Sequence, residues 1–104
     1  MTPTQRSIQY LKDNGMIVAK VEKWNSFVKI RQDLWGFDLA AVGNDGLLYF
    51  VQVTTGSHNA ERTAKLKAME TTQRLSRNKN VKMFVHAWRR LKGEKKVTPI
   101  ITEL

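Results

Sequence analysis

Two side chains whose oxygen atoms could bind a metal ion lie near the open end of one predicted β-hairpin. Asp38 begins the first strand, and Gln52 follows fourteen residues later near the end of the second. If residues 44–46 form a type I turn closed by a left-handed glycine, Gly43 pairs with Leu47 and Asp38 lies opposite Gln52. A carboxylate and an amide on one face could coordinate a divalent cation. A two-residue turn would instead shift the register by one and place them on opposite faces.

The elements that would position these groups follow from apolar periodicity and turn residues. A strand–helix–strand connection favours parallel pairing of the third and fourth strands, and the hairpin is antiparallel. We therefore predict one α/β domain, residues 1–104, with a mixed, mainly antiparallel central sheet flanked by helices in the order α-β-β-β-α-β-β. Residues 25–35 are expected to be mostly irregular. The predicted helices are residues 2–14 and 59–77, and the predicted strands are residues 16–24, 37–42, 47–54, 81–88 and 97–102.

The second predicted helix has two apolar sides. One side carries small or aliphatic residues within an arc of about 80°, which suits close packing on a sheet. Its members are Ala60, Ala64, Ala68 and Leu75. Leu66 and Met69 lie on a different side, where they would contact a partner chain, and a homodimer is therefore among the expectations.

The charge of the chain favours a polyanionic partner. There are 18 Lys and Arg residues against nine acids, a net charge of +9, and twelve of the basic residues lie between Arg62 and Lys96. Such a concentration is typical of nucleic-acid binding, since each neutralised phosphate releases counterions. The alternatives are a protein that is simply basic or one that binds an acidic protein.

The absence of cysteine excludes disulfides and thiolate metal sites. No stretch approaches the roughly 20 apolar residues of a membrane span, and no secretory signal follows Met1. We expect a cytoplasmic protein with no membrane partner.

The motif residues of this chain lie in two segments, 31–39 and 52–54. The element order together with Gly36-Phe37-Asp38 and Gln52-Val53-Thr54 resembles the PD-(D/E)XK nuclease superfamily, in particular its small phage-type and Holliday junction resolvase-like members. In that family an aspartate starts the second strand and a (D/E)-x-K triplet ends the third. Here Gln52 stands in place of the acid and Thr54 in place of the lysine.

The resemblance implies a Mg²⁺ site, which Mn²⁺ could also occupy, formed by Asp38, Gln52 and the carbonyl of Val53. A hard cation would polarise a phosphate and lower the pKa of water. Since Thr54 cannot carry the charge of the family's lysine, Lys65 is the first candidate for a relocated catalytic lysine. The alternative for Asp38 is a structural role, in which it begins the strand and its side chain caps backbone N–H groups.

Other polar residues are candidates for lesser roles. Glu22 and Asp33 could be extra metal ligands or plain surface charges. The predicted nucleic-acid contacts are His58, Asn59, Arg62, Trp35, Arg89 and Arg90. His58 and Asn59 could equally serve only to cap the second helix.

The leading hypothesis is a metal-dependent endonuclease that hydrolyses phosphodiester bonds of DNA, including branched or structured DNA. The alternative is a catalytically inactive, nuclease-derived module that binds nucleic acid, which the missing lysine and second acid favour. A third hypothesis is a small basic protein that inhibits an acidic enzyme.

Overall fold

The computed structural model of the chain describes residues 1–27 and 29–104. Its helices are α1 (Pro3–Asp13), α2 (Asn59–Ala68) and α3 (Glu70–Leu75), and a 3₁₀ turn (Gly56–His58) precedes α2. Its strands are β1 (Ile17–Lys20), β2 (Lys23–Asn25), β3 (Ile30–Gln32), β4 (Leu39–Val42), β5 (Leu48–Thr55), β6 (Val81–Arg90) and β7 (Val97–Glu103).

The main sheet has five strands in the order β1-β4-β5-β6-β7. The β5–β6 pair is parallel, and the other three pairs are antiparallel. Because the connection from β5 to β6 runs through α2 and α3, the parallel pairing follows from the crossover. The predicted α/β fold class with a mixed, mainly antiparallel sheet is confirmed.

Helix α1 begins where the sequence predicts. The hydroxyl of Thr2 accepts a hydrogen bond from the backbone N–H of Gln5, whose side chain accepts one from the N–H of Thr2 in return. This capping box, with Pro3 in the first turn, satisfies donors that have no partner within the helix. Helix α1 therefore has a fixed N-terminal end.

The sheet buries one apolar cluster on each face. On one face Leu39, Ala41 and Val51 pack with Leu11 of α1. On the other face the cluster includes α2 and α3 residues, and its buried members are Phe37, Phe50, Leu66, Met83 and Val85. The hairpin β4–β5 is thus held from both sides, which fixes the position of its ends.

The predicted packing side of the second helix is wrong. Ala60, Ala64 and Ala68 are exposed, whereas Leu66 is only 3% exposed within the core. A leucine gains more from burial than an alanine because it removes more apolar area from water. Burial of Leu66 also removes it from the surface that was expected to contact a partner chain, so the homodimer stays a prediction without that support.

The second helix is also not continuous. Its backbone is extended at Met69, which separates α2 from α3. In an unbroken helix Leu66 and Leu75 would lie on opposite sides, since nine residues turn through about 900°. The break allows both leucines to reach the same core cluster, together with Met69.

The described residues of the segment 25–35 contain more regular structure than expected, and residue 28 of that prediction lies outside the described residues. Strands β2 and β3 form a separate two-stranded antiparallel sheet with Lys23 opposite Gln32. Beyond it, Leu34 and Phe37 exchange backbone hydrogen bonds of 3.1 and 2.9 Å across a tight turn. This turn leads directly into Asp38.

No helix among the described residues is both long enough and apolar enough to cross a bilayer.

Candidate active site

The hairpin has the predicted register up to its open end. Leu39 pairs with Val51 and Val42 with Leu48, so paired residue numbers sum to ninety as the glycine-closed turn requires. The N–H of Gly46 donates to the carbonyl of Gly43 at 3.0 Å. The prediction of a type I turn with left-handed Gly46 is confirmed by its φ of 78°.

The register changes at Asp38. Its backbone N–H donates to the carbonyl of Val51 at 2.9 Å, although Val51 is already the partner of Leu39. Two residues of one strand thus face one residue of the other, which is a β-bulge. The prediction that Asp38 lies directly opposite Gln52 is wrong for this reason. Bulges re-aim side chains at strand ends, and here the re-aimed side chain is a carboxylate.

The Asp38 carboxylate takes over a lost backbone contact. In the regular register Val53 would pair with Phe37, but Phe37 pairs with Leu34 instead. The N–H of Val53 therefore donates to Oδ2 of Asp38 at 2.8 Å. The expected alternative role of Asp38, satisfying a backbone N–H, is confirmed, and it leaves the second carboxylate oxygen for other partners.

Asp38 resists ionisation in this environment. It is only 8% exposed, and burial raises its pKa from 3.8 to about 6. The charges of Glu22 and Asp33 and a hydrogen bond with the Glu22 side chain act in the same direction, while the hydrogen bond from Val53 lowers the pKa. A raised pKa with nearby like charges is the electrostatic signature of a site that a cation would stabilise.

These carboxylates open into a cleft of about 540 Å³. Five parts of the fold meet there: the first turn of α1, the residue before β2, the residue after β3, the open end of the β4–β5 hairpin and the start of α2. The lining residues are Thr2, Pro3, Thr4, Glu22, Asp33, Asp38, Gln52, Val53, Thr54, Thr55, His58 and Arg62. The cleft therefore combines an acidic side with one arginine and one histidine.

Gln52 and Val53 lie beside Asp38 in this cleft, as the resemblance implied. Gln52 is 5% exposed, and its Nε2 donates to the carbonyl of Val53 at 3.1 Å. A cation bound to both the Gln52 amide oxygen and that carbonyl would require the Gln52 amide to give up this hydrogen bond. The two groups are thus close neighbours in a different arrangement from the one a metal would impose.

The other predicted residues around α2 divide between the cleft and the surface. His58 and Arg62 line the cleft. His58 occupies the N-cap position without a side-chain capping bond, and its Nδ1 lies 3.7 Å from Glu61 Oε2. Asn59 Oδ1 accepts a hydrogen bond from the Thr63 hydroxyl at 3.4 Å. Neither side chain forms the N-cap bond that was the alternative to phosphate contact.

Lys65, the predicted catalytic lysine, is exposed on α2 and is not among the residues that line the cleft. Arg62, one helical turn earlier, is a basic residue that does line this cleft.

Trp35 lies on the tight turn before Asp38 but faces a different depression. Its φ is 53° and that of Gly36 is 86°, as in type I′ turns. The indole is 46% exposed, packs edge-on against Phe50 at 6.1 Å between ring centroids, and lines a groove of about 490 Å³ with Arg74. A bulky residue with positive φ stores strain of about 1–3 kcal/mol, so this turn is held by its surroundings.

Arg89 and Arg90 are exposed at the end of β6. Arg90 and Trp88 line a separate cleft, on the far side of the first turn of α1.

One buried polar network was not predicted. Trp88 Nε1 donates to Ser7 Oγ at 2.7 Å, and Ser7 Oγ lies 3.0 Å from His86 Nδ1. Because the serine oxygen accepts from the indole, its hydrogen can be donated to Nδ1, so we assign His86 as neutral. Burial lowers the pKa of His86 to about 4, in agreement. A histidine inside an apolar strand was the available signal.

Sequence reasoning gave Glu22 and Asp33 only minor roles, yet both line the cleft with Asp38. Glu22 follows β1, sixteen residues before Asp38, so the sequence does not show that the two are close. Asp33 is only five residues from Asp38, and the tight turn at Trp35 places both at the same cleft. Among the described residues, no group of three His, Cys, Asp or Glu side chains is arranged to hold a metal ion.

The chain was compared with protein-family models, curated proteins and solved structures, and none of them matches it.

Proposed function

We propose that the protein is a metal-dependent endonuclease of the cytoplasm that hydrolyses phosphodiester bonds of DNA. One observation carries the proposal. A buried carboxylate, Asp38, is turned by a β-bulge into an open cleft where Glu22 and Asp33 oppose its ionisation. A carboxylate whose burial raises its pKa costs the fold stability at neutral pH, and groups of this kind are concentrated at functional sites.

The donor set of the cleft suits Mg²⁺, or Mn²⁺ in its place. Mg²⁺ in nucleic-acid enzymes is usually held by one or two carboxylates, with waters and phosphate oxygens completing the shell. Asp38 and Glu22 would supply the carboxylates, and the Gln52 amide and the Val53 carbonyl are neutral oxygen donors beside them. When bound, the ion supplies positive charge that polarises a phosphate and acidifies water.

The residues of the chain perform the remaining work. Arg62 lines the same cleft and would offset charge that develops on the phosphate, the role that Thr54 cannot fill. The resemblance predicts Lys65 for this catalytic role, but Lys65 is not among the residues that line the cleft.

The test is cleavage of branched, duplex and single-stranded DNA in Mg²⁺ and in Mn²⁺. Asp38→Asn should lower the rate at least about a hundredfold, since charge stabilisation by a bound metal contributes several kcal/mol. Asp45→Asn, an exposed aspartate at the other end of the same hairpin, is the matched control and should cleave normally. Cleavage that survives Asp38→Asn would refute the proposal.

Two further variants separate the roles inside the cleft. Glu22→Gln should raise the Mg²⁺ concentration needed for half-maximal cleavage, because it removes a ligand. Arg62→Ala should lower the maximal rate at saturating Mg²⁺ instead. If Lys65→Ala, and not Arg62→Ala, lowers the maximal rate, the relocated lysine is the correct assignment.

A second candidate function is a binding module of the same fold without catalysis. The hydrogen bonds that join Asp38 and Gln52 to Val53 favour it, because they give both side chains a structural role. Such a module would bind DNA with strong salt dependence and equal affinity in Mg²⁺ and EDTA, and would form no product.

A further inference from the structure

A second cleft, of about 650 Å³, lies between α1 and the β6–β7 hairpin. Its basic lining residues are Arg6, Arg90, Lys95 and Lys96. Among the described residues that line it, Asp13 is the only acid, and its carboxylate accepts a hydrogen bond from Gln9 Nε2 at 2.8 Å. We refer to this surface as the basic cleft.

The fold places these cations from three separate segments. Arg6 lies on α1, and Arg90 is the last residue of β6, where it pairs with Val97 of β7. Lys95 and Lys96 lie in the exposed turn that joins the two strands. Charges brought together from three segments with one acid among them create a local positive potential that attracts an anion with several charges.

The basic cleft adjoins the cleft of Asp38. Thr2, Pro3 and Thr4 line the Asp38 cleft, while Met1 and Arg6 line the basic cleft. The first turn of α1 therefore forms the wall that the two clefts share. A long anion could contact both sides of this turn at once, whereas a single small anion could not.

The two clefts have opposite electrostatic character. Three carboxylates, of Glu22, Asp33 and Asp38, line the first cleft against one arginine, Arg62, whereas four basic side chains line the second against one carboxylate, Asp13. A phosphate chain is repelled by the first cleft unless a cation is bound there, and it is attracted by the second without any metal.

We propose that the basic cleft binds the phosphate backbone of DNA that extends across the first turn of α1 from the Asp38 cleft, and that it supplies the metal-independent part of the affinity. The inference rests on the proposed function for the identity of the nucleic acid. Binding and hydrolysis are then located in different clefts and respond to different substitutions.

The experiment measures binding of a fluorescent duplex of about 20 base pairs, two helical turns, in EDTA across about 50 to 200 mM salt. Lys96→Ala should lower the slope of log affinity against log salt by about one, as loss of one phosphate contact requires. Lys96→Glu should weaken binding roughly tenfold at low salt.

Lys12→Ala and Lys12→Glu are the matched controls, because Lys12 is exposed on the same helix and does not line the basic cleft. Each should change the affinity less than about twofold. If the Lys12 and Lys96 variants weaken binding equally, the effect would depend only on the net charge of the protein, and the proposal would be overturned. Circular dichroism spectra that match those of the parent protein would show that the variants fold.

Asp38→Asn provides the opposite control within the same assay. Removing a carboxylate that repels phosphate should leave affinity in EDTA equal or higher, whereas Lys96→Glu lowers it. A loss of affinity on Asp38→Asn, or none on Lys96→Glu, would overturn the separation of the two clefts.

Polyglutamate serves as the competing probe. If it displaces the duplex at equal charge concentration, and does so less well from the Lys96→Glu variant, the basic cleft binds acidic protein and the proposal is wrong. Because all of these measurements are made in EDTA, they decide the inference even if the cleavage test refutes the proposed function.

Discussion

Asp38 is the residue in which structure and chemistry conflict most directly. Its carboxylate completes the hydrogen bonding of Val53, which favours the ionised form, yet burial and two neighbouring acids favour the protonated form. The pKa of about 6 shows that the second group of effects prevails. At neutral pH the ionised Asp38 thus destabilises the fold, and a bound cation would relieve this cost.

We predict that Asp38→Asn stabilises the protein at pH 7.5. An acid whose pKa is higher in the folded state than its ordinary 3.8 costs stability above about pH 6, and the cost disappears as pH falls towards 4. The gain should be on the order of 1–3 kcal/mol at pH 7.5 and close to zero at pH 4. Urea unfolding at both pH values measures it. A loss of stability at pH 7.5 would show that the bond to Val53 outweighs the repulsion.

Asp45→Asn should change the stability at pH 7.5 in the opposite direction and destabilise the protein. Hydrogen bonds from the N–H of Leu47 and the hydroxyl of Tyr49 lower the pKa of Asp45, so its ionised form supports the turn. This variant should therefore unfold at a lower urea concentration than the parent protein at pH 7.5, and the difference should shrink on acidification.

At the scale of single elements, the turn before Asp38 depends on Gly36. Its φ is 86°, and a Cβ built there would lie 2.7 Å from Cδ2 of Leu66. Leu66 is a core residue of α2, so this glycine is also where the turn packs on the helix. Gly46 has a similar φ of 78° with no atom within 4 Å of an added Cβ.

Comparison of Gly36→Ala with Gly46→Ala separates the cost of backbone strain at positive φ from the cost of a steric clash with Leu66. Gly46→Ala should cost about 1–2 kcal/mol from backbone conformation alone. Gly36→Ala should cost more, because Leu66 must also move. Chemical denaturation of both variants tests this, and equal losses would contradict the close approach of Gly36 to Leu66.

Leu66 provides a sharper element-scale prediction. Leu66→Ala should destabilise by about 2–5 kcal/mol as a core truncation. Ala64→Ser, on the exposed side of α2, should change stability by less than about 0.5 kcal/mol. The reverse result would restore the packing side that the alanine pattern predicted.

Local sequence patterns predicted the helices, strands and turns well, but they predicted the contacts between these elements poorly. The turn at Gly46 and the start of α1 each depend on few neighbouring residues, and the parallel crossover follows from the order of the elements, so the sequence alone was sufficient for them. The break at Met69 depends on a core shared by distant residues, so periodicity could not reveal it. The same limit hid the bulge at Asp38.

The candidate site was predicted in part for the same reason. Asp38 and Gln52 belong to one hairpin, and both were identified from it. Glu22 reaches the cleft from another strand end, and Arg62 rather than Lys65 faces it, because the direction of a helical side chain depends on how the helix packs.

At the scale of the whole molecule, helix α1 is joined to the sheet by the network of Ser7, His86 and Trp88. Ser7 is fully buried and His86 is 2% exposed. In the tautomer assigned above, Nδ1 accepts from the serine, and burial lowers the pKa of His86 so that the imidazole is neutral at pH 7. This arrangement makes the docking of α1 sensitive to acid.

The two buried titratable groups should oppose each other between pH 6.5 and 4. The pKa of His86 falls from 6.5 to about 4 on folding, so its contribution is complete above pH 6.5 and is lost as the pH approaches 4, a cost of about 3 kcal/mol. Relief of the Asp38 cost offsets this in the parent protein. Asp38→Asn should therefore show a steeper loss of stability on acidification, measured by urea unfolding at intervals across this range. Parallel pH profiles would contradict the opposition.

The parallel pairing of β5 with β6 also sets the order of events when the chain emerges from a ribosome. Phe50 and Leu66 are synthesised before residues 81–90, which carry their core partners Met83 and Val85. Until that strand is available, β5 is paired only with β4, and Phe50 and Leu66 lack two of their core partners. Assembly is therefore completed late and through distant contacts, which makes the nascent chain a natural client for chaperones.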